Sequence, residues 1–170
     1  MAGHNLIKMT ELSKVFVDLG FPDAKTYIQS GNVVFSNPEE TPSTNLSLQI
    51  EKAVMERFSL NISVMTRTED ELNCLFDLNP YLKEPQFDPS RMAVIFLYEK
   101  VSKDQITKVE GINYPPDMFT ISGSEIFIYC PNGFGKTKLY TGFFEKKMGV
   151  IGTARNWKTV TTLMNMAGSS

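Results

Sequence analysis

The sequence has 170 residues and a net charge of -2, enough chain for one domain or for two small domains that share a core. Hydrophobic residues make up 42% and charged residues 21%, an ordinary globular composition that excludes an intrinsically disordered chain. No apolar run approaches the roughly 20 residues of a membrane span, no signal peptide pattern opens the sequence, and the two cysteines are far apart, so we expect a cytoplasmic protein without a membrane partner.

The first half combines helical and extended patterns. Apolar residues at helical spacing predict helices, β-prone runs beside Ser30 and Gly31 predict a hairpin, and a Thr-x-x-Glu capping box predicts a helix start. In chain order the predicted elements are a helix over 7–19 ended by Gly20, strands over 25–29 and 32–35, a helix capped by Asn45, a strand over 62–65, and a helix opened by Thr68 and Glu71.

The second half begins after a proline-containing stretch that we interpret as a linker over 80–90. The next run is almost entirely apolar, which is typical of a strand buried on both faces. In chain order the predicted elements are a strand over 92–98, a helix from the Ser102–Gln105 capping box, strands over 118–121 and 125–129, a loop over 131–136, a helix over 138–148, an extended piece over 150–153 and a last helix over 156–166.

This order predicts an α+β protein made of two ferredoxin-like subdomains, each a βαββαβ plait in which two helices cover one face of an antiparallel sheet. The predicted subdomains span 1–79 and 91–170, and the second carries an extra C-terminal helix. The first half lacks a run that could form the opening strand of its plait. Because that strand is central, we expect either that the sequence starts after it or that a partner's strand replaces it in a homodimer.

Two segments carry a resemblance to a known family. The stretches 26–35 and 153–160 resemble the two signature segments of a bacterial family catalogued as domain of unknown function 1697. The resemblance extends over essentially the whole chain. Members of that family open with a strand of which this sequence shows only the tail, residues 2–9. The resemblance implies two α+β subdomains and no established activity.

Residues 131–170 contain six basic side chains and one acidic one, a net charge of +5, so the first 130 residues carry -7. Such a segment is typical of a surface that meets phosphate, although Lys146 and Lys147 also suit the C-terminal end of a helix. Within it, a glycine-containing loop that ends in Lys136 leads towards a helix, where backbone amides can hold an anion. The segment does not match the pattern of a nucleotide phosphate loop, because Cys130 stands where that motif requires glycine, and the structural alternative is a turn into a helix with solvated lysines.

The cluster Arg155, Asn156, Trp157 and Thr159 offers planar donors, hydroxyl groups and a stacking surface, so it is a candidate site for a base, a phosphate or a carboxylate. The structural alternative is that Asn156 caps the last helix while Trp157 packs in the core. The turn formed by Gln29, Ser30, Gly31 and Asn32 is a second candidate, although hairpin turns favour such residues for their backbone freedom alone.

Three functions follow from these patterns. We favour a non-catalytic binding module for an anionic small molecule or a nucleic acid. The alternatives are an enzyme that acts on a small anionic metabolite in a cleft between the subdomains, and a structural or dimerisation protein. We expect no cofactor, no metal site and no catalytic residues, because His4 is the only histidine and the carboxylates are scattered.

Overall fold

The structure is a computed structural model that describes residues 7–28 and 31–168. The chain divides into two compact units. One comprises the described residues up to Glu69 together with those from Leu163 onwards, and the other comprises Asp70–Thr162. The helices are α1 (Met9–Asp18), α2 (Ser43–Phe58), α3 (Glu69–Leu78), α4 (Lys103–Thr107), α5 (Thr141–Met148) and α6 (Trp157–Gly168), and the strands are β1 (Lys25–Tyr27), β2 (Asn32–Val34), β3 (Met92–Leu97), β4 (Met118–Ser122), β5 (Glu125–Tyr129) and β6 (Gly152–Asn156).

The second unit contains a complete plait. Its four strands lie in the order β4-β5-β3-β6, and every neighbouring pair is antiparallel. This is the strand order that a βαββαβ chain adopts in a ferredoxin-like sheet, so the α+β prediction is confirmed here in full. The capping box at Ser102 is formed, with Gln105 N bonded to Ser102 Oγ at 3.2 Å and Ser102 N to Gln105 Oε1 at 2.9 Å.

Both faces of the two central strands are buried. One face packs against α4 and α5, in a core that holds Ile95, Leu97, Val109, Ile126, Ile128, Cys130, Leu139, Phe144 and Met148. The residues that alternate with these along the strands, such as Val94 and Phe127, are fully buried as well. Part of this second face lies under Tyr81, whose ring centroid is 5.8 Å from that of Tyr129. In the described structure β3 and β5 therefore have no open face.

The first unit is built on α1, α2 and the β1–β2 hairpin. Tyr27 pairs with Asn32, which confirms the predicted hairpin. Gly20 follows α1 with a φ of +94°, and Phe21 N bonds back to Phe16 O at 2.9 Å, as expected of a glycine-ended helix. The core of this unit consists of Ile7, Leu12, Val15, Phe16, Ile50 and Val54.

Three predictions of local structure are wrong. Residues 62–65 do not form a strand, because the Val64 amide donates to the Glu51 carboxylate at 2.8 Å instead of to a neighbouring strand. Helix α2 begins at Ser43, so Asn45 lies inside the helix and does not cap it. Helix α5 begins at Thr141 instead of at 138, because Thr137 is held outside the helix by side-chain bonds described below.

The predicted absence of an opening strand concerns the first residues of the chain, which lie outside the described residues, and it stays a prediction. The same holds for the predicted subdomain boundaries. Within residues 7–28 and 31–168, no helix combines the length and the apolar character needed to cross a membrane.

Candidate functional site

One end of the four-stranded sheet carries a group of basic residues of the second unit. Strand β3 starts at Met92, opposite the last residue of β5, Tyr129, and Ala93 pairs with Asn156 at the end of β6. The segments before β3 and after β5 and β6 therefore lie at the same end. We call this surface the basic end and define it by four cations and two aromatic residues: Arg91, Lys136, Lys138, Lys158, Phe134 and Tyr140.

The loop after β5 is tied to the start of β3. Cys130 N donates to Arg91 O at 2.9 Å, and Gly133 N turns back to Cys130 O at 2.9 Å. Gly133 has a φ of +89°, and a Cβ atom added there would lie 3.0 Å from Arg91 Nη1. The Arg91 guanidinium thus lies directly against the loop that carries Lys136, and the positive φ favours glycine at this contact.

A hydrogen-bonded threonine fixes the second part of this loop. Thr137 Oγ1 donates to the Asp117 carboxylate at 2.7 Å and accepts from Leu139 N at 3.1 Å. The Cys130 thiol also lies within hydrogen-bond distance of Thr137 Oγ1, at 3.4 Å. Burial raises the pKa of this thiol, so Cys130 is held in its neutral and weakly nucleophilic form. The arrangement positions the loop and does not provide an activated nucleophile.

A small cavity of about 190 Å³ lies beside the basic end, and Phe134 and Tyr140 are the residues of this surface that line it. Its floor is apolar and its polar groups are few. The lining residues are Ala93, Ile95, Ile128, Phe134, Thr137, Leu139, Tyr140, Thr141, Ala154, Arg155 and Asn156. Pockets that enclose a whole drug-sized ligand measure roughly 300–1,000 Å³. This cavity is therefore suited to one ring or one compact polar group.

Two aromatic side chains beside the cavity are exposed to solvent. Phe134 is 37% exposed and Tyr140 is 61% exposed. The Tyr140 ring lies over Gly142, since a Cβ atom added at that glycine would be only 2.7 Å from Tyr140 Cε2. Exposed rings next to cations are the elements with which proteins hold the bases and phosphates of a single strand.

Within the described residues the cations of the basic end form no ion pair, although the pKa of the Asp88 carboxyl is lowered by hydrogen bonds from Ser90 and, to a smaller extent, by the charge of Arg91. Among the described residues, no carboxylate oxygen lies within 4.0 Å of a cationic nitrogen in Arg91, Lys136, Lys138 or Lys158. Lys138 lies over the Tyr114 ring, 5.2 Å from its centroid. By contrast, Lys146 and Lys147 belong to the last turn of α5, at the opposite end of the sheet. The basic segment predicted from the sequence is thus divided between the two ends of the unit.

The Arg-Asn-Trp cluster is separated by its own secondary structure. Asn156 Oδ1 accepts from Thr159 N at 2.8 Å, so Asn156 caps α6, and Thr159 is buried. Trp157 is only 5% exposed, and its ring meets Phe76 edge to face at 5.5 Å. The structural alternative is therefore correct: Asn156 caps a helix and Trp157 packs in the core. Of the cluster, Arg155 and Asn156 also line the cavity.

Arg155 is held within its own strand. Its Nη1 atom donates to Thr153 Oγ1 at 2.6 Å and to Ala154 O at 2.8 Å. Burial lowers the pKa of the guanidinium. Arg155 pairs with Val94, and this register places its side chain on the sheet face opposite α4 and α5.

The second predicted candidate, the hairpin turn, belongs to the first unit. Gly31 has a φ of +84°, and the buried Asn32 donates from Nδ2 to Tyr27 O at 3.0 Å, which closes the hairpin. Gln29 and Ser30 lie outside the described residues. Within the described part of the chain, no three His, Cys, Asp or Glu side chains are grouped closely enough to hold a metal ion.

Of the residues that define the basic end, Lys136 was predicted as a site residue, Lys138 and Lys158 were counted only in the basic segment, and Arg91, Phe134 and Tyr140 were not predicted. The sequence signal for Arg91 is its position directly before a fully apolar strand, because the pairing of that strand with β5 brings the residue beside the glycine-containing loop. The signal for Tyr140 is the nearby Gly142, which leaves room for its ring.

Comparison with known proteins identifies a family and a fold. The model of a family described as "Protein of unknown function (DUF1697)" matches residues 1–127. Among solved structures, the chain is similar to the conserved bacterial protein SP0830 from Streptococcus pneumoniae, with 21% sequence identity, a TM-score of 0.76, and coverage of 98% of this chain and 92% of that one. At that identity the likeness shows the fold alone. No curated protein matches the chain.

Proposed function

We propose that this chain, which belongs to the DUF1697 family of proteins of unknown function, is a non-catalytic binding module for an anionic ligand, and that the ligand is single-stranded nucleic acid. The observation that carries the proposal is the basic end, where four cations that form no ion pair within the described residues lie at the same end of the sheet as two exposed aromatic rings that line a small cavity.

The arrangement supports a division of roles. Lys136 and Arg91 lie on adjacent segments and would neutralise successive phosphates, while Phe134 and Tyr140 would stack on bases. Every base has an aromatic face, so this mode of binding tolerates many sequences. The cavity beside the two rings is large enough for one ring only, which favours a chain of nucleotides that inserts a single base.

The buried sheet favours the end of the sheet over its face. Plaits that bind RNA commonly stack bases on aromatic residues of an open sheet face. Here the corresponding positions of β3 and β5 are buried, so the sheet face is not the surface that we propose. Trp157 is buried too and is therefore a packing residue in this proposal, not a stacking platform.

Fluorescence anisotropy with a labelled oligothymidylate, titrated at several salt concentrations, tests the proposal. We expect a dissociation constant of roughly 10⁻⁴ to 10⁻⁶ M near physiological salt, and a linear fall of log K with log salt concentration. The double variant Phe134→Ala with Tyr140→Ala should weaken binding, because stacking contributes about 1–3 kcal/mol per base. Absence of binding at low salt would refute the proposal.

Ligand length separates this proposal from the small-molecule alternative. A strand that uses several cations should bind more tightly as it grows from one nucleotide to about six, whereas a metabolite site should bind a mononucleotide as well as an oligomer. Equal affinity for the mononucleotide and the oligomer would therefore favour a small anionic metabolite.

A further inference from the structure

The outer strand of the plait, β4, borders an open groove of about 510 Å³ that is lined by residues of α4 and the segment after it, by β4 itself and by Tyr81. Its apolar walls are formed by side chains that pack only partly against the core, among them Ile106, Ile112, Phe119 and Ile121. The groove shares no lining residue with the cavity of the basic end. It is therefore a separate surface that the proposed function does not use.

The hairpin register shows which backbone groups of β4 point outwards. Ser122 pairs with Glu125 across the two-residue loop Gly123-Ser124, and the pair that flanks such a loop exchanges hydrogen bonds. Bonded and non-bonded pairs alternate along an antiparallel ladder, so Phe119 and Ile121 direct their N–H and C=O groups to the open edge. Their side chains lie on the groove face, so one segment of β4 provides both free backbone groups and apolar contacts.

The composition of β4 leaves this edge unprotected. The strand Met118–Ser122 contains no lysine, no proline and no charged residue, which are the usual means of blocking an exposed edge. A strand of five residues next to a groove is the arrangement by which peptide-binding domains add an extended peptide to a sheet. Alternate side chains of such a peptide would enter the groove.

The charges of the groove indicate the chemistry of the peptide. Glu110 and Asp117 are lining residues, of which Asp117 already accepts a hydrogen bond from Thr137, and no lysine or arginine is a lining residue. Lys138 contacts the Tyr114 ring but does not line the groove. We propose that β4 binds an extended peptide segment of a partner protein, with apolar residues at every second position and at least one lysine or arginine. A second copy of β4 fits less well, because it would bring no basic residue to these carboxylates.

Display selection of random heptapeptides on the whole chain, followed by synthesis of the enriched peptides, tests the inference. We expect enriched sequences to alternate apolar residues and to carry a basic residue. Along an extended peptide only every second amide bonds to the edge of β4. Methylation of those nitrogens should weaken binding at least about tenfold, whereas methylation of the nitrogens between them should weaken it little. The amides of Phe119 and Ile121 should exchange with solvent quickly in the free chain and slowly in the complex.

Charge reversal provides the matched pair of variants. Glu110→Lys should weaken the binding of a lysine-containing peptide about three- to tenfold, because the substitution replaces attraction by repulsion at a partly solvated site. Glu99→Lys makes the same change at an exposed position after β3, away from the groove, and should leave binding unchanged. Selection that enriches no alternating sequence would overturn the inference. The inference would also be overturned if bound peptides left the hydrogen exchange of the Phe119 and Ile121 amides unaltered. The same holds if self-association of the chain protected these two amides without a peptide.

Discussion

The positions of the cations give a quantitative prediction for nucleic-acid binding. Counterion release changes log K by about 0.7 per neutralised phosphate of a single strand for each tenfold change in salt. The four cations of the basic end therefore predict a slope of about -2.8, and the double variant Arg91→Gln with Lys136→Gln should reduce it to about -1.4. At 0.1 M salt each lost contact weakens binding about fivefold, so the double variant should bind about 25-fold more weakly.

The control makes an identical change of net charge elsewhere. Lys146→Gln with Lys147→Gln removes two cations from the last turn of α5, at the opposite end of the sheet. Anisotropy titrations at four or five salt concentrations give the slope of each variant. The control should retain the full slope. If both double variants lose the same affinity and the same slope, the net charge of the protein drives binding and the basic end is not the site.

Three further predictions concern stability. Asn156→Ala should lower the free energy of unfolding by about 1 kcal/mol through loss of the α6 cap, and Asn156→Asp should retain it; urea unfolding followed by the fluorescence of Trp157 measures both. Gly152→Ala should lower the free energy of unfolding by about 1–3 kcal/mol, because the new Cβ atom would lie 2.9 Å from Ile95 Cγ2. Gly135→Ala is the control: its Cβ atom meets no atom within 4 Å, so the free energy of unfolding should change little in the same assay. Burial raises the pKa of Tyr81. The neutral hydroxyl therefore stabilises the fold fully below the ordinary tyrosine pKa, and this stabilisation is lost as the pH rises through the raised pKa. Ultraviolet titration should show one tyrosine that ionises at higher pH than the others, and Tyr81→Phe should remove it.

Several local signals in the sequence correctly predicted elements whose hydrogen bonds are made locally, although the cap expected at Asn45 was wrong. The Ser102 capping box and the glycine after α1 need only neighbouring residues, and both are present as predicted. The strand at 62–65 needed a partner strand, and the sequence pattern could not show that Glu51 takes the Val64 amide instead. The start of α5 also depended on a distant residue, because Asp117 holds Thr137 outside the helix.

The same distinction explains which candidate residues could be predicted. Arg155, Asn156 and Trp157 are conspicuous because they are adjacent in the sequence, but the alternation of the strand and the start of α6 direct them to different surroundings. Arg91 and Phe134 are 43 positions apart in the sequence and are brought to one surface by the pairing of β3 with β5. Only a known strand register could place them together.

The buried sheet also explains why the end of the plait is the better place for a ligand. A strand buried on both faces must fill its positions with apolar side chains, as Val94 and Phe127 do, and leaves no room there for cations. The polar residues that follow the strands are not under this constraint, because they lie in loops at the surface. Hydrogen bonds from Thr137 and Cys130 hold the loop after β5 in place, so its exposed rings and lysines stand on a fixed support. A rigid loop loses little conformational entropy when a ligand binds, which favours this loop over a flexible segment of the same charge.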